Sequence, residues 1–534
     1  MSQSKEPFDA FLQWEGLQFP RTLIRLEPSE GLLKGSASAT ISRDESYCLR
    51  CEVEGSSSVF MGPTLEFQNT KAGPFSIRGE YNAYNVLLSH CYVLGVRGAP
   101  INDPDCTKER PFWSDVHVQR VEQVCKGTWS KTTHIDWFLN GPEDFVFTDR
   151  TFNQYENAYL RRLKSKPEYC ISCGSSLPGI EVGCTLVELP LFSFVIRKMP
   201  EEFGPAWSIK LGIEYSQKLS PIPDENTRTM VAELVSFILG RRLIDVGDTS
   251  LGNDGIPINI TSWSKNSFQA PIQIIPDRPF RLRSWNPSGL NVRKLCGGID
   301  FPPVPIDFLH WNNCERLGPV VSKLLPVYLK LRNTLSLDHA LWKYWTFQEL
   351  PLGVNLPILF NAFEILKDAW FRSPFSMSKG NFVSREKFQE LLGEDFDKIR
   401  KKLVQACEGN ANQGYLQESK KVGALMARLT NSFEMGSNAK MKQFFNEIGI
   451  EPSETEREAM RVRNQQIHGI GEAEQPEKLW QLSESLRTLF YKTVLRLLNY
   501  TGVYFDWSVR KPEPKQLPEF HHNGNYIEAI KSNS

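Results

Sequence analysis

The spacing of apolar residues changes along this chain near Cys314, and that change restricts the fold more than any other feature of the sequence. Before it, apolar and polar residues alternate over short runs broken by Gly and Pro. Trp207 to Leu219 alternates through Ile209, Leu211, Ile213 and Tyr215, and Phe280 to Trp285 does the same. Tyr84 to Val96 is rich in Val, Leu and Tyr and runs into a Gly-Val-Arg-Gly turn. Ile180 to Arg197 reads as one or two strands interrupted at Pro190. A period of two marks strands with one buried face. One helix interrupts this region, from Asn226 to Leu243, with Met230, Leu234, Ile238 and Leu239 at helical spacing.

Beyond Cys314 the stripes have helical period. Leu317 to Leu335 carries Val320, Leu324, Leu325, Tyr328 and Leu331, with Pro326 expected to kink it. Leu356 to Phe371 aligns Leu359, Phe360, Phe363, Leu366 and Trp370. Further helices are expected over Phe382 to Ala406, Tyr415 to Phe433 and Met441 to Ile448. Ser453 with Glu456 three residues on is a capping-box pair at the start of the next. The last begins at Pro476 and runs toward Gly502. The expected fold class is α+β: a β-rich region of antiparallel sheets over residues 1–307, in one or two lobes, an all-α bundle over 308–508, and a loosely ordered tail over 509–534.

At 534 residues the chain is long enough for two cores. Lys+Arg and Asp+Glu both number 62, so any surface for a polyanion has to be local. No apolar run is long enough to cross a membrane, and Met1 to Glu6 is not followed by the apolar stretch of a secretory leader. With eleven cysteines, these features suggest a cytoplasmic protein with mostly free thiols.

The segment with most chemistry is Arg463-Asn464-Gln465-Gln466-Ile467-His468-Gly469, late in a helical pattern. His468 alone among the eight histidines has an arginine five positions before it. Arginine offers a permanently charged fork of donors for a phosphate, and histidine exchanges protons near neutral pH. Cleaving RNA without a metal needs both: the 2′-OH must lose its proton, charge on the phosphoryl oxygens must be stabilised, and the leaving 5′-oxygen must gain a proton. The competing reading is a solvated arginine and a histidine favoured at a helix C-terminus by the dipole.

On this segment, with Leu324-Leu325-Pro326-Val327-Tyr328 and Leu359-Phe360-Asn361-Ala362-Phe363-Glu364 before it, the C-terminal half resembles a HEPN domain, whose signature is Arg-polar-x3-His. His134-Ile135-Asp136-Trp137-Phe138-Leu139 resembles part of the β-rich region found with it in ApeA-like anti-phage defence proteins. The resemblance implies a metal-independent endoribonuclease that leaves 2′,3′-cyclic phosphate ends and needs no cofactor for catalysis. Arg463 and His468 would be catalytic, with Asn464 orienting His468 or touching phosphate. Glu364 would stand in a supporting position. It also implies a homodimer through the bundle, a phage-encoded trigger acting on the N-terminal region, and host RNA such as tRNA as target in abortive infection. Two readings compete: a HEPN protein that binds RNA or a partner without cutting, and the toxin of a toxin–antitoxin pair.

Lys398, Arg400, Lys401 and Lys402 form a basic run suited to an RNA backbone, although Glu394, Asp395 and Asp397 beside them equally suit a solvated helix face. Two Cys-x-x-Cys pairs, Cys48/Cys51 and Cys170/Cys173, read either as a four-cysteine structural zinc site or as free core cysteines.

Overall fold

The strand β3 (Leu49–Ser57) shows why the first half of the chain closes on itself. Leu49, Cys51 and Val53 are buried while Arg50, Glu52 and Glu54 face outward, the two-residue alternation of a sheet with one dry face. β1 (Arg21–Pro28), β2 (Ala37–Arg43), β4 (Phe75–Tyr81), β5 (Tyr84–Gly98) and β6 (Arg110–Cys125) join it. In this computed structural model the described residues are 17, 20–28, 37–44, 48–57, 75–98, 110–139, 184–198, 211–217, 219–253, 257–264, 304–306, 317–350, 352, 354–381, 385–408, 435–467, 476–509 and 513–519.

The six strands pair antiparallel in the order β3-β2-β1-β4-β5-β6, and β6 pairs again with β3, closing a barrel. Closure leaves no free edge in the ring. Its interior is filled by Leu23, Ile41, Leu49, Cys51, Val53, Ile77, Val86, Leu88, Cys91, Val116 and Val118. β6 is long enough to serve two neighbours along one edge. Residues 110–118 pair with β3, and residues 120–124 pair with β12 (Pro257–Trp263). From there the sheet continues through β11 (Ile244–Leu251), β7 (Thr133–Leu139), β10 (Leu211–Ser216), β9 (Ser193–Lys198) and β8 (Cys184–Glu188). Every pairing is antiparallel, as the alternating pattern implies.

β8 and β9 bracket Pro190, and β10 lies within the expected Trp207–Leu219 strand. Helix α1 (Glu225–Ile238) is capped by Asp224, whose side chain accepts from the Thr227 amide at 2.7 Å. It buries Val231, Leu234, Val235 and Ile238. The Phe280–Trp285 segment lies outside the described residues.

The chain divides into two compact units, and among the described residues the division falls between Pro326 and Val327. That point lies inside α2 (Leu317–Leu331), which runs through Pro326. The second unit contains α3 (Leu337–Glu349), α4 (Asn355–Arg372), α5 (Arg385–Glu408), α6 (Ser437–Glu447), α7 (Glu454–Ile467) and α8 (Pro476–Leu497). α4 packs against α3, α6, α7 and α8. Its Phe363 ring meets Phe445 of α6 and Phe490 of α8 at 6.0 and 5.7 Å. α3 was not expected: its run of Trp342, Tyr344, Trp345 and Phe347 resembles a strand in sequence, yet the helix buries Leu337, Leu341, Tyr344 and Phe347 on one side. The expected Tyr415–Phe433 helix lies outside the described residues. Part of the expected loose tail is ordered, because β14 (Glu513–Gln516) pairs with β13 (Val503–Asp506) and Lys515 bonds Asp506 at 2.6 Å.

Candidate functional site

Arg463 to Ile467 are the last residues of helix α7, whose start is held from both directions. The Ser453 amide donates to Glu456 Oε2 at 2.7 Å, and the Glu456 amide donates to Ser453 Oγ at 3.2 Å. This is the expected capping box. Glu456 is 1 % exposed, and its carboxylate also pairs with Lys492 of α8 at 2.7 Å. Ala459 and Val462 continue the buried face, and α7 packs on both α4 and α8. Arg463 and Asn464 follow in the final turn, and the helix is described as far as Ile467. The side chains of Arg463 and Asn464, and all of His468, lie outside the described residues.

Glu364 sits on α4, half buried, where the buried Lys367 bonds it. Lys367 also reaches Asp368 at 3.3 Å and Ser437 Oγ, at the start of α6, at 3.4 Å. Glu364 therefore belongs to a polar clamp between α4 and α6. Burying a lysine this deeply is costly unless such partners take up its hydrogen bonds. The basic run lies on α5. Lys398, Lys401 and Lys402 are exposed there, and Lys398 pairs with Asp395 at 3.3 Å; the side chain of Arg400 lies outside the described residues.

Cys48, just before β3, and Cys51, in the barrel core, are both buried. Burial first, then the neighbouring Cys91, pushes the Cys51 thiol far above its ordinary range, and burial raises Cys91 to about 12. Cys170 and Cys173 lie outside the described residues. Among the described residues no three His, Cys, Asp or Glu side chains are gathered as a metal site.

The most developed polar cluster lies in the first unit, between α1 and the sheet. His134 and Asp136 are two apart on β7, so both side chains share a face. His134 Nε2 lies 3.0 Å from Asp136 Oδ1, and Nδ1 lies 3.3 Å from Ser250 Oγ on β11. Arg228 of α1 donates from Nε to both Asp136 oxygens at 3.2 and 3.3 Å. A bulge in β11 makes the grouping. Phe138 opposes Asp245 and Trp137 opposes Gly247, which brings Asp248 opposite Asp136 and Ser250 opposite His134. Gly247 (φ +157°) is required there, since a Cβ would lie 2.1 Å from the Thr261 carbonyl oxygen. Burial, and then the charge of Asp136, hold the Asp248 carboxyl above the usual carboxylate range against the pull of His134, Arg228 and Lys131.

A cleft of about 100 Å³ beside this cluster is lined by Arg120, Asp136, Arg228 and Asp248, among others. The partners of His134 are those of a serine–histidine–aspartate set, but His134 is 2 % and Ser250 5 % exposed. A nucleophile so enclosed has no open approach for a substrate, and the network instead ties β7, β11 and α1 together. The sequence contained a signal for half of it, a histidine and an aspartate two apart on a strand. The other half depends on the bulge.

No protein-family model, curated protein or solved structure matches this chain. No described helix is long and apolar enough to cross a membrane.

Proposed function

We propose that this chain is a metal-independent endoribonuclease whose site is the Arg463-Asn464-x3-His468 segment. The observation that carries the reading is that this arginine and asparagine occupy the last turn of α7, a helix pinned by its capping box and by the buried Glu456–Lys492 pair. Rigid support under a short functional segment is what positioning for phosphoryl transfer requires. In this reading Arg463 clamps the phosphoryl oxygens and His468 moves the proton, a contribution of roughly 10²–10⁴-fold. Asn464 orients the histidine or contacts phosphate. One histidine does not easily serve as base and acid together, so a second copy contributes the second. The β unit is the regulatory part, engaged by a phage component, and host RNA such as tRNA is the target of an abortive response in the cytoplasm. This part of the reading rests on the HEPN and ApeA-like resemblance alone.

The test is total RNA and tRNA incubated in EDTA with the wild type and with His468→Ala. Cleavage by the wild type alone, leaving 2′,3′-cyclic phosphate ends, supports the reading. Equal cleavage by both proteins places the activity elsewhere. If both are inert in vitro, phage infection of cells carrying each form decides: equal protection by His468→Ala makes the segment structural and the bundle a binding module.

A further inference from the structure

Helix α5 departs from the other described helices of its unit in the face it leaves open. Leu391 is 59 % exposed, Leu392 41 % and Ile399 41 %, with Phe396 half buried between them. At helical spacing these four positions share one stripe with the buried Phe388, which stacks on Phe396 at 5.4 Å. Leu391, Leu392 and Ile399 thus form an exposed apolar stripe on an amphipathic helix of 24 residues, the character of a contact surface.

Charge along the same helix identifies the partner. Residues 385–397 hold two basic and five acidic side chains, a net of −3; residues 398–408 hold four basic and one acidic, a net of +3. Two copies laid antiparallel set the negative half of each against the positive half of the other. Laid parallel, they set like charges together. The stripe has the same symmetry: with Phe396 near a two-fold axis, Leu391 and Leu392 of one copy come against Ile399 of the other. The ion pairs seen within the helix, Lys387–Glu390 at 3.0 Å and Lys398–Asp395 at 3.3 Å, are exposed and worth little, so they exchange readily for partners across the axis. An interface whose two sides are the same patch closes as a dimer.

We propose that α5 is a self-complementary docking surface on which two copies of this chain associate antiparallel. The lysines read from sequence as an RNA contact then serve first as the positive half of this seam. The proposal names the surface for the second copy that the ribonuclease reading calls for, but it stands on exposure and charge and would hold for an inactive bundle.

The test uses the full chain and its mass by light scattering. The wild type is expected at twice 61.1 kDa. One variant reverses the acidic half (Glu394→Lys, Asp395→Lys, Asp397→Lys) and another the basic half (Lys398→Glu, Lys401→Glu, Lys402→Glu). Each alone is expected to dissociate at least tenfold more readily than the wild type, and an equal mixture to regain the dimer. Leu392→Glu is expected to be monomeric with an unchanged circular dichroism spectrum. A dimer that survives all three variants overturns the proposal. So does a wild-type monomer, and if its melting temperature falls in Leu392→Glu, the face belongs to the chain's own residues 409–434. A wild-type monomer that cleaves RNA while His468→Ala does not would remove this proposal and the two-copy arrangement of the site, and leave only the assignment of Arg463 and His468 standing.

Discussion

At the scale of single residues, the first unit holds an arrangement that local preference disfavours. Asp136 and Asp248 stand opposite each other on adjacent strands, where like charges destabilise. Asp136 is paired with Arg228 and bonded to His134, while burial, and then the charge of Asp136, raise the pKa of Asp248. A carboxyl whose folded pKa lies above its unfolded value keeps its proton in the fold while the unfolded chain releases one. Stability therefore falls as pH rises through the interval between the two values and levels off above it. Asp248→Asn removes this term. Its melting temperature is expected to exceed that of the wild type at pH 7 and to converge with it near the ordinary carboxylate range. A variant less stable than the wild type at pH 7 would show that Asp248 holds a favourable contact. The neighbouring Gly247 is legible in sequence only as a glycine. That it must be one follows from the closeness of the Thr261 carbonyl, a long-range fact.

At the scale of elements, the end of α6 is held to the turn after α4 by one carboxylate. Glu447 is 7 % exposed and accepts from Trp370 Nε1 at 2.8 Å, from Ser378 Oγ at 2.6 Å and from its amide at 3.2 Å, and from Gln443 at 3.1 Å. Burial alone would raise its pKa; these donors outweigh burial and hold it below the usual value. The sign is therefore opposite to that of Asp248. Its contribution is present above the unfolded carboxylate pKa and is lost as pH falls through the lower, folded one. Glu447→Ala is expected to cost about 3 kcal/mol at pH 7, since it strands several buried donors. Denaturant unfolding should show that loss shrinking in acid; a loss under about 0.5 kcal/mol, typical of a neutral surface change, would mean the turn is held by other contacts. Elements with a strong period were legible from sequence: β10, α1, α4 and α8, and the α7 capping box down to its two residues. α3 was not, because closely spaced aromatic residues suit strand and helix equally until the packing partners choose. Here they are Phe490 and Tyr491 of α8, the first stacked on Tyr344 at 5.1 Å and the second hydrogen-bonded to it.

At the scale of the whole molecule, the chain builds two separate cores: the interior of the barrel and its sheet, and the aromatic centre where α3, α4, α6 and α8 meet. Units with their own cores melt as separate cooperative transitions where they are weakly coupled. Calorimetry is expected to resolve two. Leu88→Ala, in the barrel interior, should lower only one of them, at about 2–5 kcal/mol. Leu489→Ala, wholly buried in α8, should lower only the other. A single transition moved by either substitution would show the two cores to be one cooperative unit.

What the sequence determined by itself is what depends on neighbours a few residues away: the switch from a period of two to helical period, the helix starts and caps, the turn at Pro190, and the placing of Arg463 and Asn464 late in a helix. These are set by backbone sterics and by which face of an element is apolar. Tertiary structure alone decided the rest. It closed the first six strands into a barrel through the second partner of β6, and ordered the start of the tail as a hairpin. The β11 bulge brought Asp248 and Ser250 to Asp136 and His134, and the apolar stripe of α5 was left facing outward. Barrel closure and the β11 bulge depend on partners tens to hundreds of residues away. Their meeting is governed by the summed burial of a whole core, which no local run of the chain encodes.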